Sequence, residues 1–211
     1  MFLLNAQSRA PHIPRRRFLA ALSAGLAAPM LPLLSIGNQE KPPPERLPLE
    51  KLLSPEDRAS MQKSSMSMDL ENYFGRGYSC AESMLMVALR RIKLPENFVW
   101  AAASFGGGVG QKDLCGFLTG GCMGLGLAAG ELKLDRKEAK KLGSEATAEY
   151  WQWWKAGTAL RCAEIRPPGS SQDICRRLGV LAAARLNLLI DRLLASGPGP
   201  ETRTGQWNIP L

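Results

Sequence analysis

The stretch Leu114-Cys115-Gly116-Phe117-Leu118-Thr119-Gly120-Gly121-Cys122-Met123-Gly124-Leu125-Gly126-Leu127-Ala128-Ala129-Gly130 decides the fold. It carries no charge, and every residue in it is apolar, small or a lone threonine. Gly116, Gly120 and Gly124 recur at four-residue spacing, so in a helix they form one bare stripe. Such a stripe lets a second helix approach closely, which offsets glycine's poor helix propensity of about 1 kcal/mol per residue. The spacing predicts a helix from Asp113 or Leu114 to Ala129, stopped at Gly130. It is shorter than the roughly 20 residues a membrane span needs. The expected element is a central, buried helix in an all-α bundle.

Working outward, the flanks supply partners for that helix. Phe105-Gly106-Gly107-Gly108-Val109-Gly110 reads as irregular backbone. Before it, Ser79-Cys80-Ala81-Glu82 fits a capping box, with Met84, Leu85, Ala88 and Ile92 at helical spacing behind it. Pro95 ends that helix or opens a short one through Trp100. Earlier, Ser54-Pro55-Glu56-Asp57 reads as a helix start, running towards Tyr73 and broken by Gly75 and Gly77. On the other side, Asp135-Arg136-Lys137-Glu138 opens a helix through Tyr150, Trp151, Trp153 and Trp154 to Gly157. The tryptophans suit a helix core or interface, or the lining of a cofactor pocket. Pro167-Pro168-Gly169 marks a turn. Ser170 or Ser171 then opens a last helix ending near Ser196, whose seam is Cys175, Gly179, Ala182, Leu186, Leu189 and Leu193. No alternating strand pattern competes, so the fold expected is a compact bundle of five to six helices.

The N-terminus reads differently. Arg15-Arg16-Arg17-Phe18-Leu19 precedes an apolar, uncharged run to Ile36, and residues 1–37 contain no acid. A basic region followed by an apolar one is the signature of a leader, and the paired arginines with Phe and Leu match the twin-arginine pattern. The alternative is a retained membrane anchor. A Pro-rich linker follows over 38–53, the helical domain spans 54–197, and 198–211 is a loose tail. The expectation is export by the twin-arginine translocase, to the periplasm or the outer side of the cytoplasmic membrane.

Composition excludes several chemistries. Of the formal +8, Arg9, Arg15, Arg16 and Arg17 of the leader supply half, leaving a modest basic excess. No basic stripe with interleaved aromatics occurs, so nucleic acid is not an expected partner. The one histidine is His12, inside the leader. The domain therefore has no Ser-His-Asp or Cys-His machinery, no His-ligated zinc, and no Cys-x-x-Cys-His run for c-type haem. Gly106, Gly107 and Gly108 could cradle an anion, but the run lacks the Gly-Lys-Ser/Thr ending of a phosphate loop and the dinucleotide spacing. Their other task is close backbone approach beside Cys115.

What remains is cysteine: Cys80, Cys115, Cys122, Cys162 and Cys175, with no Cys-x-x-Cys pair. Cys80 is expected to open a capped helix and Cys115 to lie in the first turn of the central one. Backbone amides at both places would favour a thiolate, although a small buried hydrophobe is the plainer reading of each. Cys162 and Cys175 bracket the Pro-Gly turn, and a disulfide there would stabilise by roughly 3 kcal/mol on the chain-entropy model. Cys122, two turns beyond Cys115, reads as core packing.

Taken together, Tyr78-Ser79-Cys80-Ala81-Glu82-Ser83, Phe105-Gly106-Gly107-Gly108, Cys115-Gly116-Phe117-Leu118-Thr119-Gly120, Cys162 and Cys175 resemble the C_GCAxxG_C_C family over roughly residues 66–180. The resemblance implies redox activity without naming a substrate. It matches Cys80, Cys115, Cys162 and Cys175 to the family's four cysteines and leaves Cys122 as an extra. Leu114 stands where the family pattern has Gly, and Phe117 near its small Ala. The leading expectation is thiol–disulfide exchange or electron transfer with an unknown redox partner. Cys80 and Cys115 would be the reactive pair, and Cys162 with Cys175 a second, resolving or structural pair. Two alternatives remain open: the same four cysteines as ligands of an iron–sulfur cluster or other metal, and a disulfide-braced binding domain.

Overall fold

The structure is a computed structural model, and it describes residues 64–197 together with Pro55, Arg58 and Ala59. The leader (1–37), the linker (38–53), most of the helix start at Ser54-Pro55 and the tail (198–211) lie outside the described residues. Within them the protein is all-helical: α1 (Ser65–Gly75), α2 (Cys80–Ile92), a 3₁₀ segment (Glu96–Phe105), α3 (Gly116–Gly130), α4 (Arg136–Gly157), the one-turn α5 (Cys162–Ile165) and α6 (Asp173–Ala195). The one β-type pairing among the described residues is the isolated antiparallel bridge Leu114–Arg161. No helix among the described residues is long and apolar enough to cross a membrane.

The glycine-rich helix α3 is central, touching α2, α4 and α6. Both its flanks are buried, including Phe117, Leu118, Leu125, Ala128 and Ala129. Its glycines explain how two helices come so close. A Cβ on Gly120 would lie 2.5 Å from the Ala81 carbonyl oxygen, and one on Gly124 would lie 2.6 Å from the Ala88 Cβ. On another flank a Cβ on Gly121 would lie 2.5 Å from the Tyr150 ring. The glycine stripe of α3 therefore nests against α2, and Tyr150 of α4 fills the second groove. Tyr150, Trp153 and Trp154 form a stacked and edge-on group in the core. The Tyr150 hydroxyl donates to the Phe117 carbonyl and the Trp154 indole N–H to the Ala159 carbonyl, at 3.3 and 2.8 Å. These three rings are core packing, as expected for helix aromatics; the polar atoms of Tyr150 and Trp154 are tied to α3 and to the loop after α4, whereas the buried Trp153 indole N–H has no hydrogen-bond partner among the described residues. The seam of α6 from Gly179 to Leu193 is buried as well.

The ends of several elements differ from the sequence reading, each for a local reason. α1 starts at Ser65, because Ser64 is extended (φ −72°, ψ 111°), so no single helix runs from Ser54 to Tyr73. The 3₁₀ segment outlasts Trp100 and continues to Phe105. At three residues per turn Val99, Ala102 and Phe105 share one face, and they pack on Ala81, Leu85 and Leu89. α6 opens at Asp173 instead of Ser170 or Ser171: Ser170 is engaged in the preceding turn, and Ser171 stands two residues ahead of the helix, where its Oγ accepts the Asp173 N–H at 3.1 Å. Ser170 Oγ donates to the Pro167 carbonyl, and Ser171 Oγ donates to the Asp173 carboxylate. The one-turn helix α5 has no counterpart in the sequence reading. α3 begins at Gly116, two or three residues later than expected, since Leu114 is committed to the bridge with Arg161.

Candidate functional site

Cys80 is the first residue of α2. The capping box is complete: the Ser79 N–H donates to Glu82 Oε2 at 2.9 Å, and the Glu82 N–H donates to Ser79 Oγ at 3.3 Å. This fixes the first turn of α2 against the start of α3, where Gly116 makes room for the thiol. A Cβ on Gly116 would overlap Cys80 Sγ and lie 2.9 Å from the Ala81 amide nitrogen. Gly106 makes room in the same way for the capping serine, since a Cβ there would lie 2.5 Å from the Ser79 Cβ. Gly108 has a similarly tight neighbour in the Asp113 backbone, whereas Gly107 faces open space. The glycine run thus closes backbone onto the cap of α2 and onto the approach to Cys115.

That run also coils the wrong way for L-residues. Gly107, Gly108, Val109, Gly110 and Lys112 all have φ between 56° and 69°. The Asp113 N–H closes the turn on the Gly108 carbonyl at 3.1 Å. For Val109 and Lys112 the left-handed backbone is strained.

Cys115 is the N-cap residue of α3, one position before the expected first turn. Its N–H donates to the Leu160 carbonyl at 2.9 Å, and the Cys162 N–H donates to the Asp113 carbonyl at 2.7 Å. These two bonds flank the Leu114–Arg161 bridge, so Cys115 and Cys162 are diagonal neighbours on its opposite face. Cys162 opens α5 and is buried, as is Cys115. Cys175 lies in the first turn of α6, half-buried, at the outer end of the seam and not within it.

The electrostatics show which thiols share a site. The charge of Cys115 responds to Cys80 and Cys162, and that of Cys175 responds to Cys162 and Cys80. Mutual charge influence thus links the four cysteines in a ring, 80–115–162–175, drawn from four different helix starts; within it Gly116 seats Cys80 at the start of α3 beside Cys115, and the bridge sets Cys115 diagonal to Cys162. Cys122 stands apart, with burial pushing its thiol up to about 11. Burial is also the main influence on Cys115, followed by the charge of Cys80, and its thiol is pushed up to about 12. The amides of Phe117 and Leu118 pull the other way, as a helix start should, and are outweighed. For Cys115 burial therefore favours the plainer of its two readings, a buried, protonated thiol. Burial also raises Cys175, against the opposing pull of Arg166 and Lys112.

All five cysteines are free thiols in this structure, including Cys162 and Cys175, for which a bridge was one reading. Among the described residues no three Cys, Asp or Glu side chains converge in a way that could hold a metal ion. The cysteine ring is a set of thiols linked pair by pair and not a preformed ligand shell for a metal or cluster. Two basic residues beside Cys175, Lys112 and Arg166, carry no recognisable signal in the sequence. Gly116 does, through its place in the four-residue stripe.

Neither a curated protein nor a solved structure matches the chain. The profile of the family described as "Putative redox-active protein (C_GCAxxG_C_C)" matches residues 78–187, which span Cys80, Cys115, Cys162 and Cys175 and more than half of the chain. The chain belongs to the C_GCAxxG_C_C family.

Proposed function

We propose that this protein is a thiol–disulfide redox protein whose four ring cysteines work as two coupled dithiols, Cys80 with Cys115 and Cys162 with Cys175. The observation that carries this reading is the ring itself. Cys80 is seated on Gly116 beside Cys115, the bridge sets Cys115 diagonal to Cys162, and mutual charge influence links these three to Cys175 and not to Cys122.

Cys80 is the attacking thiol of the first pair. It is half-exposed and sits on the amide-rich first turn of α2, whereas Cys115 is buried. Its thiolate attacks one sulfur of a partner's disulfide and forms a mixed disulfide, and the other partner sulfur leaves as a thiolate that takes up a proton. Cys115 then loses its proton and attacks Cys80 Sγ, forming the Cys80–Cys115 disulfide and releasing the second partner thiolate. The partner gains two electrons and the protein loses two. The run backwards oxidises a partner dithiol. With Cys80 capped, its charge no longer opposes ionisation of Cys115, so the first step assists the second. The twin-arginine pattern near the N-terminus supports an exchange on the outer side of the cytoplasmic membrane, after folding within.

The test is a redox titration of the full chain against a dithiol–disulfide buffer, counting thiols by alkylation and mass at each potential. Two pairs should be lost in two-electron steps, with Cys122 remaining. Cys80→Ser should remove one whole pair. A Cys80→Ser protein that titrates like the wild type would refute the assignment. Iron and sulfide bound near stoichiometry after purification without oxygen would refute dithiol exchange itself.

A further inference from the structure

At the turn between Cys162 and Cys175 lies a pocket of about 410 Å³, bounded by Lys112, Ala163, Arg166, Pro167 and Gln172; neither thiol lines it, but Ala163 directly follows Cys162 and Gln172 stands three residues before Cys175. Its size is that of a small-molecule site. Its floor is set by the turn between α5 and α6, where the Arg166 N–H donates to the Cys162 carbonyl at 2.8 Å and Ser170 is tied to Pro167. Lys112 enters from the end of the left-handed turn, with a φ of 60°. The same two cations that line the pocket are the ones whose charge is felt at Cys175. Arg166 is half-buried, and neither it nor Lys112 is paired with an acid among the described residues. A partly desolvated guanidinium and an ammonium, converging on one cavity without an anion, are complementary to one or two carboxylates.

We propose that this pocket binds the carboxylate end of a small anionic disulfide or thiol and presents its sulfur to Cys175. The inference rests on the dithiol reading and gives the second pair its own substrate class. The Cys175 thiolate attacks one sulfur of the bound disulfide, forming Cys175–S–S–R, and the other half departs as a thiolate and is protonated. Cys162 gives up its proton and attacks Cys175 Sγ, closing the Cys162–Cys175 bridge and releasing the second half. The small molecule is reduced by two electrons and the pair is oxidised. Internal exchange around the ring then carries the oxidation to Cys80 and Cys115. A small molecule is favoured over an acidic protein because the cations sit at the wall of a cavity and not on a broad face.

The experiment oxidises the reduced full chain with three disulfides of similar size: dithiodiglycolate (dianionic), hydroxyethyl disulfide (neutral) and cystamine (dicationic). Each rate is divided by the rate with a free small dithiol. The dianion should exceed the neutral disulfide by on the order of tenfold, cystamine should fall below it, and added salt should narrow the spread. Lys112→Gln and Arg166→Gln should each reduce the preference, and Lys112→Arg should keep it. Equal rates with all three overturn the anionic pocket and leave dithiol exchange standing. Exchange with none of them, in protein whose thiols also fail to pair in the redox titration, overturns the dithiol reading and this inference together. A preference that survives both Gln substitutions places the anion elsewhere and also overturns the proposal.

Discussion

Substituting alanine along α3 should change stability in opposite directions within two turns of one helix. At Gly120 a Cβ would lie 2.5 Å from the Ala81 carbonyl oxygen and 3.0 Å from the Met84 Cβ. Ordinary contacts need roughly 3.5 Å, so α2 and α3 would have to separate by several tenths of an ångström or more. Both neighbours belong to a helix and cannot swing aside as the tip of a flexible side chain would. Overpacking of this kind costs about 1–3 kcal/mol, against a propensity gain of about 1 kcal/mol, so Gly120→Ala should be destabilising by up to about 2 kcal/mol. At Gly126, exposed and with nothing within 4 Å of its Cβ position, the propensity gain stands alone and stability should rise by up to about 1 kcal/mol. The two variants should then differ by about 1–3 kcal/mol. With a urea slope of about 2 kcal/mol/M, their unfolding midpoints should differ by about 0.5–1.5 M. Equal midpoints, or a stabilised Gly120→Ala, would mean that α2 and α3 are not in close backbone contact. The seat proposed for Cys80 would fall with that contact, because Gly116 belongs to the same stripe.

Cys115 should make the protein sensitive to alkali. Its thiol ionises near 9.0 in an unfolded chain but at about 12 when buried, so above pH 9 the unfolded state holds fewer protons and stability falls, by about 1.4 kcal/mol per pH unit and about 4 kcal/mol by pH 12. Urea midpoints under reducing conditions at pH 9 and pH 10 should show this loss in the wild type, and Cys115→Ala should lose about 1 kcal/mol less over that interval, where the unfolded thiol is only half ionised at the start. Ser79→Ala keeps the Cβ on which Gly106 rests and removes only the cap acceptor. It should cost about 0.5–2 kcal/mol and speed alkylation of Cys80, measured by peptide mapping, as the first turn of α2 frays. Unchanged alkylation would show that the cap does not control access to that thiol.

The helical parts of this fold are legible in the sequence because their signals are local. The Ser79–Glu82 capping box, the Asp135 cap and the Gly116–Gly120–Gly124 stripe each depend on residues within one or two turns, and each stands where expected. The assembly of the site is not local. Nothing near Cys115 announces that its N–H will bond to Leu160, or that Leu114 will pair with Arg161 and delay the start of α3. The left-handed turn is readable at its glycines but not at Val109 and Lys112, residues that rarely adopt that backbone. The ionisation of Cys115 is not legible locally because a helix start favours a thiolate, while its burial depends on residues from the rest of the bundle. Leu114 in place of the family's Gly is accommodated as a half-buried residue of the bridge.

The small bridge that joins Leu114 to Arg161 has a consequence for how the chain reaches its native state. Its two segments are separated by the whole of α3 and α4, so loop-closure entropy opposes their meeting until those helices have docked. Until then Cys115 and Cys162 have no fixed neighbours, and any oxidant present could pair thiols at random. A chain of this topology gains from completing its search in a reducing compartment and meeting an oxidising one only afterwards. Were the chain exported as proposed, folding before transport would act as a proofreading step for the disulfides proposed to form in it.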